Sequence, residues 1–147
     1  RIAPGRIAAV VADMAAAPPV RPCAFDRVLV DAPCSGTGVL RRHPEIRWRL
    51  EPGRLAELAS LQSRLLDTAV AMLRPGGCLV YSVCSIEPEE GDRVFDAFLD
   101  RSGFLKIDPR DHLREPVRSL VGSDGRLRTF AHRHGCDAFF AAAARRP

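Results

Sequence analysis

Apolar positions along this chain alternate between two periods, and that alternation predicts its elements. Residues 6–11 run apolar through Ile7, Ala8, Ala9, Val10 and Val11, predicting a strand that ends at Ala12-Asp13. A Pro/Ala-rich connection over 15–22 leads to Phe25-Asp26-Arg27-Val28-Leu29-Val30, whose β-branched residues predict a buried strand delivering Asp31. From residue 54 the period lengthens. Leu55, Leu58, Leu61, Leu65, Leu66, Ala69, Met72 and Leu73 form one helical stripe, stopped by Pro75-Gly76-Gly77. Cys78-Leu79-Val80-Tyr81-Ser82-Val83 is again continuously apolar, as a strand covered on both faces should be, and ends at Cys84-Ser85. A second helix is predicted from Pro88, with Glu87, Glu89, Glu90 and Asp92 around its favourable N-terminal end. Val94, Phe95, Phe98 and Leu99 are its buried face and Ser102-Gly103 its stop. Residues 104–107 predict a strand, and 108–123 show little period. Asp124-Gly125 marks a turn between short strands, and 136–144 is taken as a last strand, although its alanines also suit a helix.

Strands alternating with helices predict an α/β fold with a mainly parallel sheet; the last two strands, with no helix between them, pair antiparallel. Ligands of such sheets sit at the carboxyl ends of the strands. There the chain carries Asp13, Asp31, Cys34 and Cys84, whereas Cys23, Cys78 and Cys136 fall at positions suited to packing. Pro33 stiffens the turn holding Cys34, and the small residues of Ser35-Gly36-Thr37-Gly38 allow close approach to the backbone. Two cysteines at adjacent strand ends suit covalent catalysis, a redox switch, or no chemistry at all. Asp13 alone also fits a helix cap or a solvated turn.

Composition narrows this only slightly. At 147 residues the chain has the size of one domain, and no repeat or second domain is visible. Five cysteines without ligand spacing argue against a disulfide framework and against a metal site, and predict a reducing, cytoplasmic setting. No apolar run is long enough to span a bilayer and no signal-peptide pattern opens the sequence, so no membrane partner is expected. The net charge is +4, and Lys106 is the only lysine among 22 basic residues. This arginine bias permits a nucleic-acid partner without requiring one. Arg41, Arg42, Arg47 and Arg49 cluster after the central loop, beside the single tryptophan, Trp48, and suit an RNA backbone or a solvated basic face.

Several motifs in order carry a resemblance. Asp31-Ala32-Pro33-Cys34-Ser35-Gly36-Thr37-Gly38 is followed by Arg41-Arg42-His43-Pro44-Glu45-Ile46-Arg47-Trp48 and Leu61-Gln62. Then comes Gly76-Gly77-Cys78-Leu79-Val80-Tyr81-Ser82-Val83-Cys84-Ser85, with Asp13 ahead of the whole set and Asp137-Ala138-Phe139-Phe140 behind it. The set resembles the Sun/Fmu family of S-adenosylmethionine-dependent RNA cytosine-5 methyltransferases, whose bacterial branch acts on small-subunit ribosomal RNA. No one motif alone would be specific. The resemblance implies a Rossmann-type methyltransferase sheet with S-adenosylmethionine as cofactor and RNA, of the ribosomal kind, as partner. It makes Cys84 the nucleophile and Cys34 the residue that helps release product. Asp13 and Asp31 belong to the cofactor pocket, and Asp31 also lies beside the target base. In the family the nucleophile adds to carbon 6 of cytosine, which lets carbon 5 attack the cofactor's methyl group.

The sequence departs from the family at three places. Val83 stands where Thr is usual, and Gly91 where Asn is usual. The Gly-rich cofactor loop and the acidic ribose residue, which in the family precede Asp13 on the first two strands, are absent. The resemblance therefore implies that residues 1–147 are the carboxyl-terminal part of one catalytic domain, lacking its first two strands and inactive alone. The alternative is a non-catalytic RNA-binding remnant.

Overall fold

In the computed structural model, which describes residues 8–16 and 18–147, two parallel strands form the frame. These are β1 (Phe25–Asp31) and β2 (Leu73–Val83), with Val28 opposite Leu79 and Asp31 opposite Ser82. Parallel neighbours need a long crossover. It consists of the loop after β1, the short α1 (Ile46–Arg49) and the 19-residue α2 (Arg54–Met72). The predicted stripe buries Leu58, Leu66, Ala69 and Met72, but with a polar residue, Gln62, in the same row. Next come α3 (Asp92–Ser102), β3 (Leu105–Ile107), β4 (Leu127–Thr129), the single turn α4 (Ala131–His134) and β5 (Phe139–Arg145).

The sheet order is β1-β2-β5-β3, with β4 also on β5. Because β2, β3 and β4 each pair antiparallel with β5, four strands point one way and only the last is reversed. This is the expected mainly parallel sheet with an antiparallel last strand. β4 takes the first half of β5 and β3 the second, where exposed Lys106 lies opposite Ala144. Tyr81, Val83, Leu79, Leu66, Phe95 and Phe98 are fully buried where the sheet meets its helices. The poorly periodic stretch before β4 is drawn onto α3 by Arg126, which is buried and forms ion pairs with both Asp92 and Asp96.

Four expectations need correction. Residues 8–11 form no strand, and Val10 and Val11 are exposed; Arg6 and Ile7 of that prediction lie outside the described residues. A strand needs a neighbour for its backbone groups, and among the described residues β1 pairs only with β2. For the same reason β1 is not a buried strand: Leu29 is 66% exposed and Phe25 43%. The second helix starts at Asp92, because 87–91 make a separate turn in which Glu90 N and Gly91 N both donate to Glu87 O. Cys23 and Cys136 are exposed and do not pack. Of the two substituted positions among the three family departures, Val83 is core, and Gly91 lies where an added Cβ would press on the Phe140 ring at 3.1 Å.

Candidate active site

The register of β1 against β2 brings the sequence-predicted groups to one sheet end. Ala32 N donates to Ser82 O at 2.9 Å, extending the ladder one step past β1. Both chains then turn, and Cys34 Sγ lies 3.1 Å from Cys84 Sγ. Ser82 Oγ donates to Asp31 Oδ1 at 2.9 Å, leaving Asp31 Oδ2 without a partner among the described residues. Beyond Cys34 the loop turns at Gly36, whose φ of 74° is in the left-handed region. It then threads between two strand ends: Gly38 N donates to Cys84 O at 3.0 Å, and Gly38 O accepts from Ala138 N at 2.9 Å.

Beneath this loop is a carboxylate with no solvent exposure. Glu90 Oε1 accepts from Ser35 N at 2.8 Å and from Gln62 Nε2 at 3.1 Å. Its Oε2 accepts from Ser35 Oγ at 2.5 Å and Ser85 Oγ at 2.6 Å. Gln62 Nε2 also donates to Pro33 O at 2.9 Å, and Tyr81 Oη to the Glu90 carbonyl at 2.6 Å. Sequence reasoning assigned Glu90 and Gln62 no such part. A signal existed for Gln62, a lone amide in the apolar row between Leu58 and Leu66. Replacing Gln62 with leucine keeps the volume and strands Pro33 O, so a loss of roughly 1–3 kcal/mol is expected in denaturant titration.

Burial, and then the hydrogen bond with Cys84, push the Cys34 thiol up to about 12. At neutral pH Cys34 therefore keeps its proton and can donate it toward Cys84 Sγ. Tyr81 is also raised by burial and stays a neutral donor to the Glu90 carbonyl.

Asp13 is not beside the cysteines. It lies across a cavity of about 420 Å³ that Asp31 also lines, with Met14, Leu29, Pro33 and Leu65 among the apolar walls. Asp13 Oδ1 accepts from Ala15 N at 2.9 Å, so the segment also makes the local turn foreseen as its plain alternative. The basic cluster divides in two. Arg41 and Arg42 hold opposite oxygens of Asp137 at 2.5 and 3.2 Å, whereas Arg47 and Arg49 make no ion pair among the described residues. Trp48 between them is 78% exposed, with the Arg47 guanidinium 6.0 Å from its ring. Among the described residues no helix is long and apolar enough to cross a membrane, and no group of three or more His, Cys, Asp or Glu could hold a metal ion.

Known proteins resemble this chain in sequence and in fold. A Mycobacterium tuberculosis protein carrying a provisional methyltransferase name is 48% identical over 122 residues, which is 83% of this chain and 26% of that protein. Ribosomal RNA small subunit methyltransferase B of an Enterobacter species is 55% identical over 101 residues, 68% of this chain and 24% of the relative. The crystal structure of NSun6 from Pyrococcus horikoshii, solved with the S-adenosylmethionine analogue SFG, superposes with a TM-score of 0.74 at 26% identity. That match takes in 93% of this chain and 34% of the other. The chain thus spans about a quarter of the length of the curated relatives it matches. A family model described as 16S rRNA methyltransferase RsmB/F matches residues 3–145, and the chain belongs to that family.

Proposed function

We propose that residues 1–147 are the carboxyl-terminal part of the catalytic domain of an RNA cytosine-5 methyltransferase. Its substrate is ribosomal RNA, and it works through a covalent cysteine adduct at cytosine carbon 6. The observation that carries this reading is the 3.1 Å approach of the Cys34 and Cys84 sulfurs at the ends of two adjacent strands, with the Asp31 carboxylate on the same rim. Methyltransferase names among the relatives and the SFG-bound neighbour support it.

The residues present fit part of a cofactor site. The cavity between Asp13 and Asp31 joins two carboxylates to apolar walls, a combination suited to a nucleoside with a cationic end. Bound there, S-adenosylmethionine would supply an electrophilic methyl group. The protein's own work lies in the cysteines. The Cys84 thiolate adds to carbon 6, and the ring's electron pair moves to carbon 5, which takes up the methyl. Asp31, with Oδ2 free, can hold the N3 edge that gains a proton in the adduct. Release removes the carbon 5 proton and re-forms the double bond as the Cys84 sulfur leaves. A thiol of suppressed acidity is a strong base once it has passed its own proton to solvent water, and partly exposed Cys34 lies alongside to take the carbon 5 proton in its place. Deleting the gene and sequencing the small-subunit ribosomal RNA after bisulfite treatment tests the reading. One protected cytosine should lose its methyl group and regain it only with a gene carrying both cysteines. An unchanged methylation pattern would overturn the proposal.

Of the four clustered arginines, Arg47 and Arg49 make no ion pair among the described residues and are available to phosphates, and Arg41 and Arg42 brace the segment against Asp137. In the enzyme, Arg47→Ala with Arg49→Ala should therefore lower the slope of log affinity against log salt by about 1.4, at roughly 0.7 per contact for single-stranded RNA. Arg41→Ala should leave that slope near its original value. Taken alone, this chain should bind S-adenosylmethionine too weakly for calorimetry, because one flank of β1 lacks a covering neighbour among the described residues. Micromolar binding would contradict that expectation.

A further inference from the structure

Glu90 is fully buried, and no cation is among its hydrogen-bond partners. Burying a carboxylate this way is costly, and an apolar residue of similar size would hold a core at less expense. Its partners suggest what the cost secures. Ser35 directly follows Cys34, Ser85 directly follows Cys84, and both hydroxyls reach the same oxygen, Oε2. The two hydroxyl oxygens lie 3.3 Å apart and the two sulfurs 3.1 Å apart, so the loops are joined by two adjacent rungs. Glu90 is itself anchored, its backbone carbonyl accepting from Tyr81 Oη of β2 and its carboxylate from Gln62 Nε2 of α2, which also donates to Pro33 O.

We propose that Glu90 is a positioning residue for the methyl transfer, clamping the serine beside each cysteine and so setting the approach of the two thiols. The clamp rests on the covalent reading above. Each serine governs its own cysteine's half of the reaction. Without the Ser85 hydroxyl the Cys84 loop is loosened, and adduct formation slows. Without the Ser35 hydroxyl it is Cys34 that drifts, and adduct release slows. An ångström of misplacement is worth on the order of 100-fold in rate.

Single turnovers of the whole enzyme on RNA separate these effects, with adduct formation and decay followed on denaturing gels. Ser85→Ala should cut the formation rate at least tenfold and leave decay near wild type. Ser35→Ala should do the reverse and prolong the adduct at least tenfold, and Glu90→Gln should slow both steps. Rates are taken per folded molecule, with thermal melting as the control. If the serine variants melt lower but form and release adduct at wild-type rates, Glu90 is only a structural residue and the clamp is wrong. If the wild-type enzyme forms no adduct and needs neither cysteine, it is the covalent reading that fails. Should Glu90→Gln not fold, the opposite signatures of the two serine variants still decide the matter.

Discussion

Replacing Cys84 with alanine should abolish both methyl transfer and every covalent RNA complex, whereas replacing Cys34 should abolish turnover and trap the complex. The two sulfurs are near-equivalent in position, 3.1 Å apart, so position alone does not assign them. The mechanism proposed above does, with Cys84 adding to the ring and Cys34 acting in release. Burial, then the hydrogen bond with Cys84, raise the Cys34 thiol to about 12, so it enters the reaction protonated. Loss of the nucleophile should lower turnover by about 10⁴-fold or more. Loss of the partner that assists proton removal should cost roughly 10²–10⁴-fold and leave methylated RNA attached through Cys84. That product is a band surviving denaturing electrophoresis. The raised Cys34 value also sets the sign of the pH effect. The basic form of Cys34 grows as pH rises toward 12, so adduct decay in the wild type should quicken across the alkaline range. In Cys34→Ala that dependence should vanish. A stable adduct in Cys84→Ala, with none in Cys34→Ala, would reverse the two roles.

The second large effect is expected at a position with no functional group. A Cβ added to Gly38 would lie 2.2 Å from Ala138 O and 2.8 Å from Cys84 O, both backbone atoms that cannot swing aside. Gly38→Ala must therefore push the loop out from between β2 and β5, straining the two backbone hydrogen bonds made there. Overpacking costs about 1–3 kcal/mol, and each lost hydrogen bond about 1 kcal/mol more. For a domain of this size that should lower Tm by about 10 °C. The Cys84 carbonyl is one of the displaced partners, so activity should fall even at temperatures where the variant stays folded. A variant with wild-type Tm and turnover would mean that the loop can relax in a way the backbone contacts do not suggest.

The meeting of Cys34, Cys84 and Asp31 was legible in sequence because topology dictates it. Two apolar runs joined by one long helix become parallel neighbours, so the residues just past each run land at the same end of the sheet. The α2 stripe was equally plain. Glu90 was not, because a glutamate among Glu87, Glu89 and Asp92 reads as part of a solvated acidic turn. Only the fold rotates that one residue inward beneath Ser35 and Ser85. The same turn delayed α3 to Asp92, against the start that Pro88 suggested. The apolar runs at 8–11 and in β1 misled for another reason. Composition reports what a strand could bury against, not whether a neighbour is there to cover it, and Leu29 stands exposed.

The place of β3 has a practical side. Lys106, the only lysine of the sequence, sits opposite Ala144 of β5, which in turn faces Leu79 at the start of β2's central run. From Leu79 the strand runs on to Cys84, a path of roughly 17 Å at 3.3 Å per residue. Two further strand spacings lie across it. An amine-directed fluorophore or a surface linker would thus find one side-chain target within these residues, at the opposite end of the sheet from Cys34 and Cys84. A molecule tethered there would present Cys34 and Cys84 to solution, and a reporter dye placed there would stand clear of the rim at which the proposed RNA substrate would bind.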